Sequence, residues 1–243
     1  MELARQGTRL VLSARRLDEL QRVAAATGLP DSHLLILPLD VTDEALLPTH
    51  VQTVLAQFGQ IDSVFLNAGI TQRSFVSETD FAVYRRLMDV NFFGAIALTQ
   101  AVLPTMLAQK GGHFVVTSSV SGKIGVKQRS GYCASKHALH GFFDSLRAEV
   151  ASEGLNVTIV CPGYIKTPIS QSALDAQGGR YGKSDTHQEQ GMAAGECARR
   201  ILKAVATKRE EVYIGGTELL GIYLKRFLPS LLSRILRNRS VEA

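Results

Sequence analysis

The sequence contains little cysteine, no tryptophan and no long apolar run. Its 3 cysteines in 243 residues lie far apart along the chain, which excludes a disulfide framework and a cysteine-based zinc site. The same scarcity suits a reducing compartment, so we expect a cytoplasmic protein. No uninterrupted stretch of 18 apolar residues occurs, and we therefore expect no membrane-spanning segment. We expect no metal centre either, because His137 and His140 share a helical face without a third ligand nearby in the sequence.

The positive charge is concentrated at the C-terminus. Of a formal net charge of +5, the residues after position 218 contribute +4. The rest of the chain is nearly neutral and has no basic–aromatic stripe, which argues against a nucleic-acid partner. Residues 218–239 interleave basic and apolar side chains and predict an amphipathic C-terminal extension. Such a segment either packs on its own domain or a twin subunit, or lies on an anionic membrane surface. Pro229 interrupts the apolar stripe and favours packing.

Short apolar runs alternate with segments of helical periodicity along the chain. The predicted strands are Thr8–Ser13, Leu34–Leu39, Ile61–Leu66, His113–Thr117, Asn156–Cys161 and Glu211–Ile214. The predicted helices are Leu17–Ala26, Glu44–Phe58, Phe81–Ala108, Tyr132–Ser152 and Glu196–Thr207. Continuous apolar strands alternating with helices are typical of a parallel sheet covered on both faces. We therefore predict a single doubly wound α/β domain over residues 1–243.

A tyrosine and a lysine on one predicted helix are the strongest local signal. Tyr132 and Lys136 are four residues apart, which places the phenol and the ammonium on the same helical face. A phenol with its ordinary pKa of about 10 is a poor acid or base at neutral pH, but a neighbouring cation lowers that pKa. The pair could then exchange a proton with an alcohol oxygen.

Polar motifs follow several predicted strands, at the edge where ligands of open α/β sheets bind. Asn67-Ala68-Gly69 follows the third strand, Ser119 follows the fourth, and Pro162-Gly163 follows the fifth. Asn91 stands in an Asp-Val-Asn sequence between them. In this order the motifs resemble the short-chain dehydrogenases/reductases, oxidoreductases with a Rossmann fold that use NAD or NADP. Within that family the chain is most similar to the branch of members 7 and 7B.

The resemblance implies roles for the catalytic residues. Tyr132 would protonate the carbonyl oxygen during reduction, and Lys136 would lower the Tyr132 pKa and hold the nicotinamide ribose. Ser119 would hydrogen-bond the substrate oxygen where negative charge develops. Asn91 would form a helix kink and position a water that links Lys136 to solvent. Residues 169–195 would form a lid over the substrate.

The resemblance also implies which residues bind the cofactor. An acidic residue after the second strand of this fold binds the ribose 2′-hydroxyl of NAD, whereas an arginine accommodates the 2′-phosphate of NADP. The chain has Arg15 and Arg16 there and no carboxylate before Asp18, so we predict NADP(H), with NAD as the alternative. Besides Tyr132 and Lys136, the expected cofactor-binding residues are Arg15, Arg16, Asp40, Val41, Asn67, Ala68, Gly69, Pro162, Gly163, Ile165 and Thr167.

One motif of the family has no counterpart in this sequence. Members carry a first strand followed by a Thr-Gly-x-x-x-Gly-x-Gly turn, whose backbone N–H groups bind the pyrophosphate. Since that strand is central, we expect unpaired backbone at the edges of Thr8–Ser13 and Ile61–Leu66. We also expect Met1 to be an internal start, with the protein beginning roughly 20–40 residues upstream, and cofactor binding by this chain to be weak.

Three functional hypotheses stay open. The first is an NADP(H)-dependent oxidoreductase, acting as a homodimer or homotetramer, that interconverts a lipophilic ketone or aldehyde with an alcohol. The lid and the apolar tail favour a lipophilic small-molecule substrate. The second is a non-catalytic scaffold or regulatory protein that kept the fold, although the retained Ser119, Tyr132 and Lys136 weigh against it. The third is a 3-oxoacyl reductase, with the same machinery and a different substrate.

Overall fold

The computed structural model describes residues 1–238, so Arg239 of the predicted extension lies outside them. The strands are β1 (Leu10–Leu12), β2 (Leu34–Ile36), β3 (Ser63–Leu66), β4 (Gly112–Thr117), β5 (Leu155–Pro162), β6 (Ile165–Lys166), β7 (Met192–Ala193) and β8 (Glu211–Ile214). The helices are α1 (Leu17–Thr27), α2 (Leu47–Phe58), α3 (Phe81–Met88), α4 (Gly94–Gln109), α5 (Ser130–Glu149), α6 (Thr186–Glu189), α7 (Ala194–Ala206), α8 (Leu220–Phe227) and α9 (Pro229–Asn238). The alternation of strands and helices confirms the predicted α/β fold.

The main parallel sheet is divided into two parts. β3, β4, β5 and β8 are hydrogen-bonded in that order, and every pair is parallel. β1 and β2 form a separate parallel pair, with Leu10 beside Leu34. Within residues 1–238 no strand joins β1 to β3. The unpaired edges that the sequence predicted are therefore present in the structure.

A large cavity of about 1560 Å³ is bounded on one side by these two strand edges. Residues 8–12 and residues 61–65 both line it. Phe65 lies on β3, yet its side chain is 37% exposed. A strand in the middle of a covered parallel sheet would have both neighbours and a buried phenylalanine. The separation of β1 from β3 explains this exposure.

The main hydrophobic core lies between the four-stranded sheet and the helices α4 and α5. Phe114 of β4 and Ile159 of β5 are fully buried, in one cluster with Met106 of α4 and Phe143 of α5. Burying each such side chain contributes about 1.5–3 kcal/mol to folding. This packing fixes the carboxyl ends of β4 and β5, where the predicted catalytic motifs begin.

A wide helical turn interrupts the predicted helix Phe81–Ala108. The chain is helical from α3 through α4, but Asp89–Phe93 form a π-helical turn with the buried Asn91 at its centre. Such turns insert an extra residue into a helix and frequently occur at functional sites. The helix irregularity that the family resemblance implied at Asn91 is therefore observed.

The helical stretch Phe81–Gln109 is long and apolar enough, by length and composition, to cross a membrane, with a mean hydropathy of 1.5 in its most apolar window. No other helix within residues 1–238 is both long enough and apolar enough to cross a membrane. The sequence prediction considered only uninterrupted apolar runs, whereas this window includes polar residues such as Thr99 and Gln100. In the structure, Val102 and Met106 of the stretch are buried in the main core. Such packing is the role of a core helix in a layered α/β fold.

The C-terminal extension forms two helices that pack on the domain. Pro229 begins α9, so the proline ends the first apolar stripe as expected. Ile222 of α8 and Leu232 of α9 are buried in one cluster with Val120 and Ile124. Their inner faces thus cover the segment that follows β4.

The predicted lid is more ordered than its composition suggests. Residues 169–195 contain the short helix α6 and the strand β7, which pairs with β6 just before the lid. Leu174 forms isolated bridges with Gln72 and with Arg180. These long-range backbone contacts have no periodic signal in the sequence, which is why the segment is predicted as irregular.

Candidate active site

The three residues with the strongest catalytic signal line the same cavity. Ser119 follows β4, while Tyr132 and Lys136 stand one turn apart near the start of α5. All three lie at the carboxyl end of the four-stranded sheet, where ligands of α/β folds bind. Tyr132 and Lys136 therefore lie on one face of α5, as their spacing predicts, and this face borders the cavity.

Lys136 is buried beside the ring of Tyr132. Its Nζ lies 5.9 Å from the centroid of that ring and donates a hydrogen bond of 2.7 Å to the carbonyl oxygen of Thr117. Burial lowers the Lys136 pKa to about 8, because desolvation disfavours the charged ammonium. Most of the lysine is still protonated at neutral pH, so it can donate hydrogen bonds into the cavity.

The Tyr132 pKa differs from the sequence prediction. Burial raises it above its ordinary value, whereas a hydrogen bond with Ser119 and the positive charges of Arg129 and Arg73 act in the opposite direction. The predicted lowering by Lys136 is therefore wrong for this arrangement, because desolvation of the phenolate outweighs the nearby cations. The phenol is consequently protonated at neutral pH, the form that an acid requires.

Ser119 is held by the backbone around it. Its Oγ donates to the carbonyl oxygen of Pro162 at 3.3 Å and accepts from the N–H of Ser121 at 3.1 Å. The second bond caps a short helical turn, Val120–Gly122, as serine commonly does at a helix start. The hydroxyl is thus fixed between the end of β5 and the catalytic helix, next to Tyr132.

Asn91 connects the chain after β3 to the catalytic helix. Its Oδ1 accepts from the N–H of Ile70 at 2.8 Å, and its Nδ2 donates to the Ile70 carbonyl and to Ser135 Oγ, both at 2.9 Å. Both ends of the buried amide are satisfied by protein groups, as a buried polar side chain requires. Asn91 does not line the large cavity. The structure therefore places it behind Lys136 and Gly69, and its role in holding a water remains a prediction.

Gly69 leaves space next to the lysine. A Cβ on this residue would lie 3.3 Å from Asn91 Oδ1 and 3.5 Å from Lys136 Nζ. A side chain at this position would be tight against Asn91 and in contact with the ammonium, so glycine keeps this part of the cavity open. The cofactor residues predicted around this point line the same cavity as Tyr132, namely Asn67, Ala68, Gly69, Pro162, Gly163, Ile165 and Thr167.

The loop after β5 is fixed by a carboxylate from the loop after β8. Glu218 Oε1 accepts a 3.0 Å hydrogen bond from the N–H of Tyr164. A Cβ at Gly163 would collide with the same carboxylate, so glycine is required for this close approach. Glu218 carries no sequence motif, and only the fold brings it to the cavity.

The residues predicted for the adenine end lie elsewhere. Arg15 and Asp40 line a second cavity of about 520 Å³, with 4.0 Å between Arg15 Nη1 and Asp40 Oδ2. The Asp40 pKa is lowered mainly by the hydrogen bond that its carboxylate accepts from the N–H of Thr42. Val41 lies against Gly94 of α4, where a Cβ would overlap its side chain. Arg16 lines the large cavity instead, so the two arginines face different spaces.

Gln72 is a site residue without a sequence signal. It is completely buried, and its Oε1 accepts from the N–H groups of Gly131 at 2.8 Å and Tyr132 at 3.2 Å. These are free donors of the first turn of α5, so the amide caps the helix that carries the catalytic pair. A single glutamine in an irregular segment belongs to no sequence motif, so its contact with α5 could not be predicted.

An ion-pair cluster fastens the lid beside Tyr132. Asp185 Oδ2 accepts from Arg129 at 2.8 Å and from Arg73 at 3.1 Å, and Asp185 Oδ1 caps α6. Burial raises the Asp185 pKa, but the two arginines and the backbone N–H groups lower it further, so the net shift is downward. The carboxylate is thus ionised at neutral pH. The lid is tied to the start of the catalytic helix by these charges.

A polar cluster lies behind the site. His140, Cys161 and Glu211 have possible ligand atoms within 4.8 Å of one another. Lys123 Nζ is 2.8 Å from the Glu211 carboxylate, so an ammonium already provides the positive charge there. His140 Nε2 contacts Ser118 Oγ at 2.9 Å, and its buried Nδ1 has no partner within the described residues. The expectation that the protein holds no metal therefore stays a prediction.

Comparison with known proteins identifies the family. A family model for short chain dehydrogenases matches residues 1–178. The chain is 40% identical over 243 residues to a dehydrogenase/reductase SDR family protein 7-like of Drosophila melanogaster, covering 98% of this chain and 74% of the relative. It is 38% identical over 239 residues to dehydrogenase/reductase SDR family member 7B of Mus musculus, covering 96% and 74%.

A solved structure of a family member has the same fold. A short-chain dehydrogenase from Streptomyces avermitilis superimposes with a TM-score of 0.80 at 28% identity, covering 97% of this chain and 90% of that one. The sequence relatives agree with the branch that the motifs resemble, and the solved structure agrees with the fold. The chain belongs to the short-chain dehydrogenase/reductase family.

Proposed function

We propose that this chain is an NADP(H)-dependent oxidoreductase that interconverts a lipophilic ketone or aldehyde with the corresponding alcohol. The observation that carries the proposal is the convergence of Ser119, Tyr132 and Lys136 on one cavity that the predicted cofactor residues also line. Membership of the family supports oxidoreductase chemistry. The geometry and burial of these side chains support the assignment of the acid and of the substrate class.

Tyr132 is the group we propose as general acid and base. Its raised pKa keeps the phenol protonated at neutral pH, so in the reductive direction it donates its proton to the carbonyl oxygen. A bound reduced nicotinamide supplies a hydride to the carbonyl carbon. In the oxidative direction the same oxygen accepts the proton of the alcohol. Positioned proton transfer of this kind contributes roughly 10²–10⁴-fold to a rate.

Ser119 and Lys136 assist the transfer from two sides. Ser119 lines the same cavity as Tyr132, and we infer that its hydroxyl turns to donate to the oxygen on which negative charge develops. Lys136 keeps a positive charge beside the Tyr132 ring, which favours the phenolate that remains after the proton has left. Because the Lys136 pKa is about 8, we expect this assistance to decline at alkaline pH.

The residues present fit a nicotinamide nucleotide at its nicotinamide end. Gly69, which has no side chain, lines the cavity together with Lys136, and we infer that the nicotinamide ribose binds there. Thr167 lines the same cavity and accepts a hydrogen bond from Gln188 of the lid. At the adenine end, Arg15 offers an exposed guanidinium for a 2′-phosphate, and this supports NADP over NAD.

An apolar lining supports a lipophilic substrate. Near Ser119, the cavity wall is formed by Val120, Ile124, Ile169 and Leu224. Apolar walls around a few polar groups are usual for sites that bind small hydrophobic molecules. We therefore propose that the reacting carbonyl is directed at Tyr132 and Ser119 while the rest of the substrate contacts the apolar wall.

A carbonyl panel tests the proposal. NADPH oxidation is followed by absorbance with lipophilic ketones and aldehydes, and Tyr132→Phe is assayed in parallel. We expect turnover with at least one lipophilic carbonyl, a loss of roughly 10²–10⁴-fold in kcat for the variant, and unchanged NADPH affinity. Undiminished turnover by Tyr132→Phe would show that another group supplies the proton.

The division of the sheet favours one alternative, a non-catalytic scaffold. β1 and β3 have no common neighbour within residues 1–238, and the sequence has no Gly-rich phosphate loop. Titration with NADPH separates the two functions, because nicotinamide fluorescence changes on binding even without turnover. No change at saturating protein concentration, together with an inactive panel, would favour the scaffold.

A further inference from the structure

The outer faces of α8 and α9 expose an unusual number of large apolar side chains. Six of them are exposed within sixteen residues, and Phe227 is the most exposed at 73%. These residues, which we call the outer apolar face, are Leu220, Tyr223, Phe227, Leu228, Leu231 and Ile235. Positions 220, 223 and 227 share one side of α8, and positions 231 and 235 share one side of α9. A contiguous apolar surface of this kind usually marks an interaction site.

This face is separate from the side of the helices that packs on the domain. Ile222 and Leu232 point inward and are buried with Val120 and Ile124. Lys127 also donates a 2.9 Å hydrogen bond to the carbonyl oxygen of Arg237 near the end of α9. The helices are therefore fixed by their inner side, and the exposed side chains are not needed to complete the core.

Basic side chains accompany the outer apolar face. Lys225, Arg226, Arg234 and Arg237 are all exposed, and residues 219–238 contain no aspartate or glutamate. An amphipathic helix with apolar residues on one face and uncompensated lysine and arginine beside them is typical of segments that lie in the interface of an anionic membrane.

The substrate cavity opens at the same place. Leu220 and Ile235 belong to the outer apolar face and also line the large cavity, together with Leu224 and Leu236. Because Leu220 and Ile235 are exposed and also line the cavity, the cavity reaches the surface at the outer apolar face. A lipophilic molecule dissolved in a bilayer would meet the opening without crossing water.

We propose that the outer apolar face docks on an anionic lipid membrane, with the opening of the cavity towards the bilayer. The proposal depends on exposed side chains and their charge and does not require the proposed catalytic function. Anionic lipid is the expected partner, because the basic residues have no acidic counterpart on these helices. The alternative is that a second copy of the chain covers the same face.

Vesicle flotation tests this docking. The full chain is mixed with vesicles of phosphatidylcholine alone or of phosphatidylcholine with phosphatidylserine, and the floating fraction is measured. The binding variant is Phe227→Glu combined with Leu231→Glu. The matched control is Phe81→Glu, which changes an equally exposed phenylalanine (69%) on α3. Size-exclusion chromatography with light scattering reports the oligomeric state of every variant.

We expect the wild type and Phe81→Glu to float with the phosphatidylserine vesicles. The double variant should float at least about 10-fold less, since two apolar anchors are replaced by charges that anionic lipid repels. In about 1 M NaCl, where the Debye length is about 3 Å, binding of the wild type should weaken. The proposal is overturned if the double variant floats like the wild type or if the wild type fails to float. It is equally overturned if the substitutions dissociate an oligomer and leave flotation unchanged.

Discussion

Two parts of the molecule hold the two ends of the proposed cofactor site. The inner part, made of β3, β4, β5 and β8 with α4 and α5, holds Tyr132 and Lys136 on a fully buried core. The outer pair, made of β1 and β2 with α1, carries Arg15 in the loop between β1 and α1, and the residues of its strands are only half-buried. The inner part orients catalytic groups by dense packing. Within residues 1–238, β1 and β2 have only each other as hydrogen-bonded strand neighbours.

The largest expected contrast is in core stability. Ile159→Ala removes a fully buried side chain from β5 and should lower the free energy of unfolding by about 2–5 kcal/mol. Leu35→Ala on β2, a half-buried position, should cost less than about 1 kcal/mol. Urea denaturation of both variants measures the difference. Equal losses would mean that the outer pair is as tightly integrated as the inner part.

A buried histidine should make the inner part sensitive to acid. Burial, with a smaller effect of Lys123, lowers the His140 pKa to about 4, against its ordinary value of 6.5. The folded state favours the neutral ring, so the unfolded chain binds more protons between these values, and stability falls as the pH falls from 6.5 to 4. The full shift corresponds to roughly 3 kcal/mol.

Two matched variants on α5 test this acid sensitivity. His140→Asn should flatten the dependence of the unfolding free energy on pH, because the titrating ring is removed. His137→Asn changes an exposed histidine one turn earlier and should leave the slope as in the wild type. Denaturant unfolding between pH 4 and 7 measures these slopes. The explanation fails if the unfolding free energy of His140→Asn depends on pH as steeply as that of the wild type.

Gln72 should link stability to catalysis in the inner part. Gln72→Leu leaves the N–H groups of Gly131 and Tyr132 without their acceptor, at a cost of about 1–3 kcal/mol. Since the start of the catalytic helix loses its cap, we expect kcat to fall while the KM for cofactor changes little. Gln52→Leu, at an exposed position on α2 away from the cavity, is the control. A variant with normal kcat and lowered stability would make Gln72 a purely structural residue.

The smallest expected effect is on cofactor choice in the outer pair. Arg15→Ala should raise the KM for NADPH about tenfold and leave that for NADH unchanged, because a charge-assisted hydrogen bond to the 2′-phosphate contributes roughly 1.5 kcal/mol. Arg22→Ala, which removes another exposed arginine of α1, should change neither constant. Steady-state kinetics with both cofactors gives the comparison. Equal changes for NADH and NADPH would assign Arg15 a role other than phosphate recognition.

Much of the inner part could be predicted because its signals are local. The strand Glu211–Ile214 has the predicted bounds, and the helix predicted from Tyr132 begins only two residues earlier in the structure. Continuous apolar runs and an i, i+4 pair are properties of adjacent residues. The ion pairs of Asp185 that hold the predicted lid could not be predicted, because Asp185 and its partners Arg73 and Arg129 are more than fifty residues apart in the chain.

The direction of the Tyr132 pKa shift shows the limit of spacing arguments. Four residues of separation put a cation near the phenol, yet the depth of burial decides the sign of the shift. Burial depends on the whole cavity wall, including residues of the lid and the loop after β4. Spacing within a helix carries no information about those neighbours.

The amino-acid sequence alone determined the order of strands and helices, the family and the tyrosine–lysine pair, because each depends on short periodic patterns and adjacent motifs. The tertiary structure decided which groups meet around that pair: Gln72 under the helix start, Glu218 against Gly163, and Asp185 between two arginines. Such contacts arise only when distant segments pack together, since hydrogen bonds and desolvation act through space and leave no pattern in the chain.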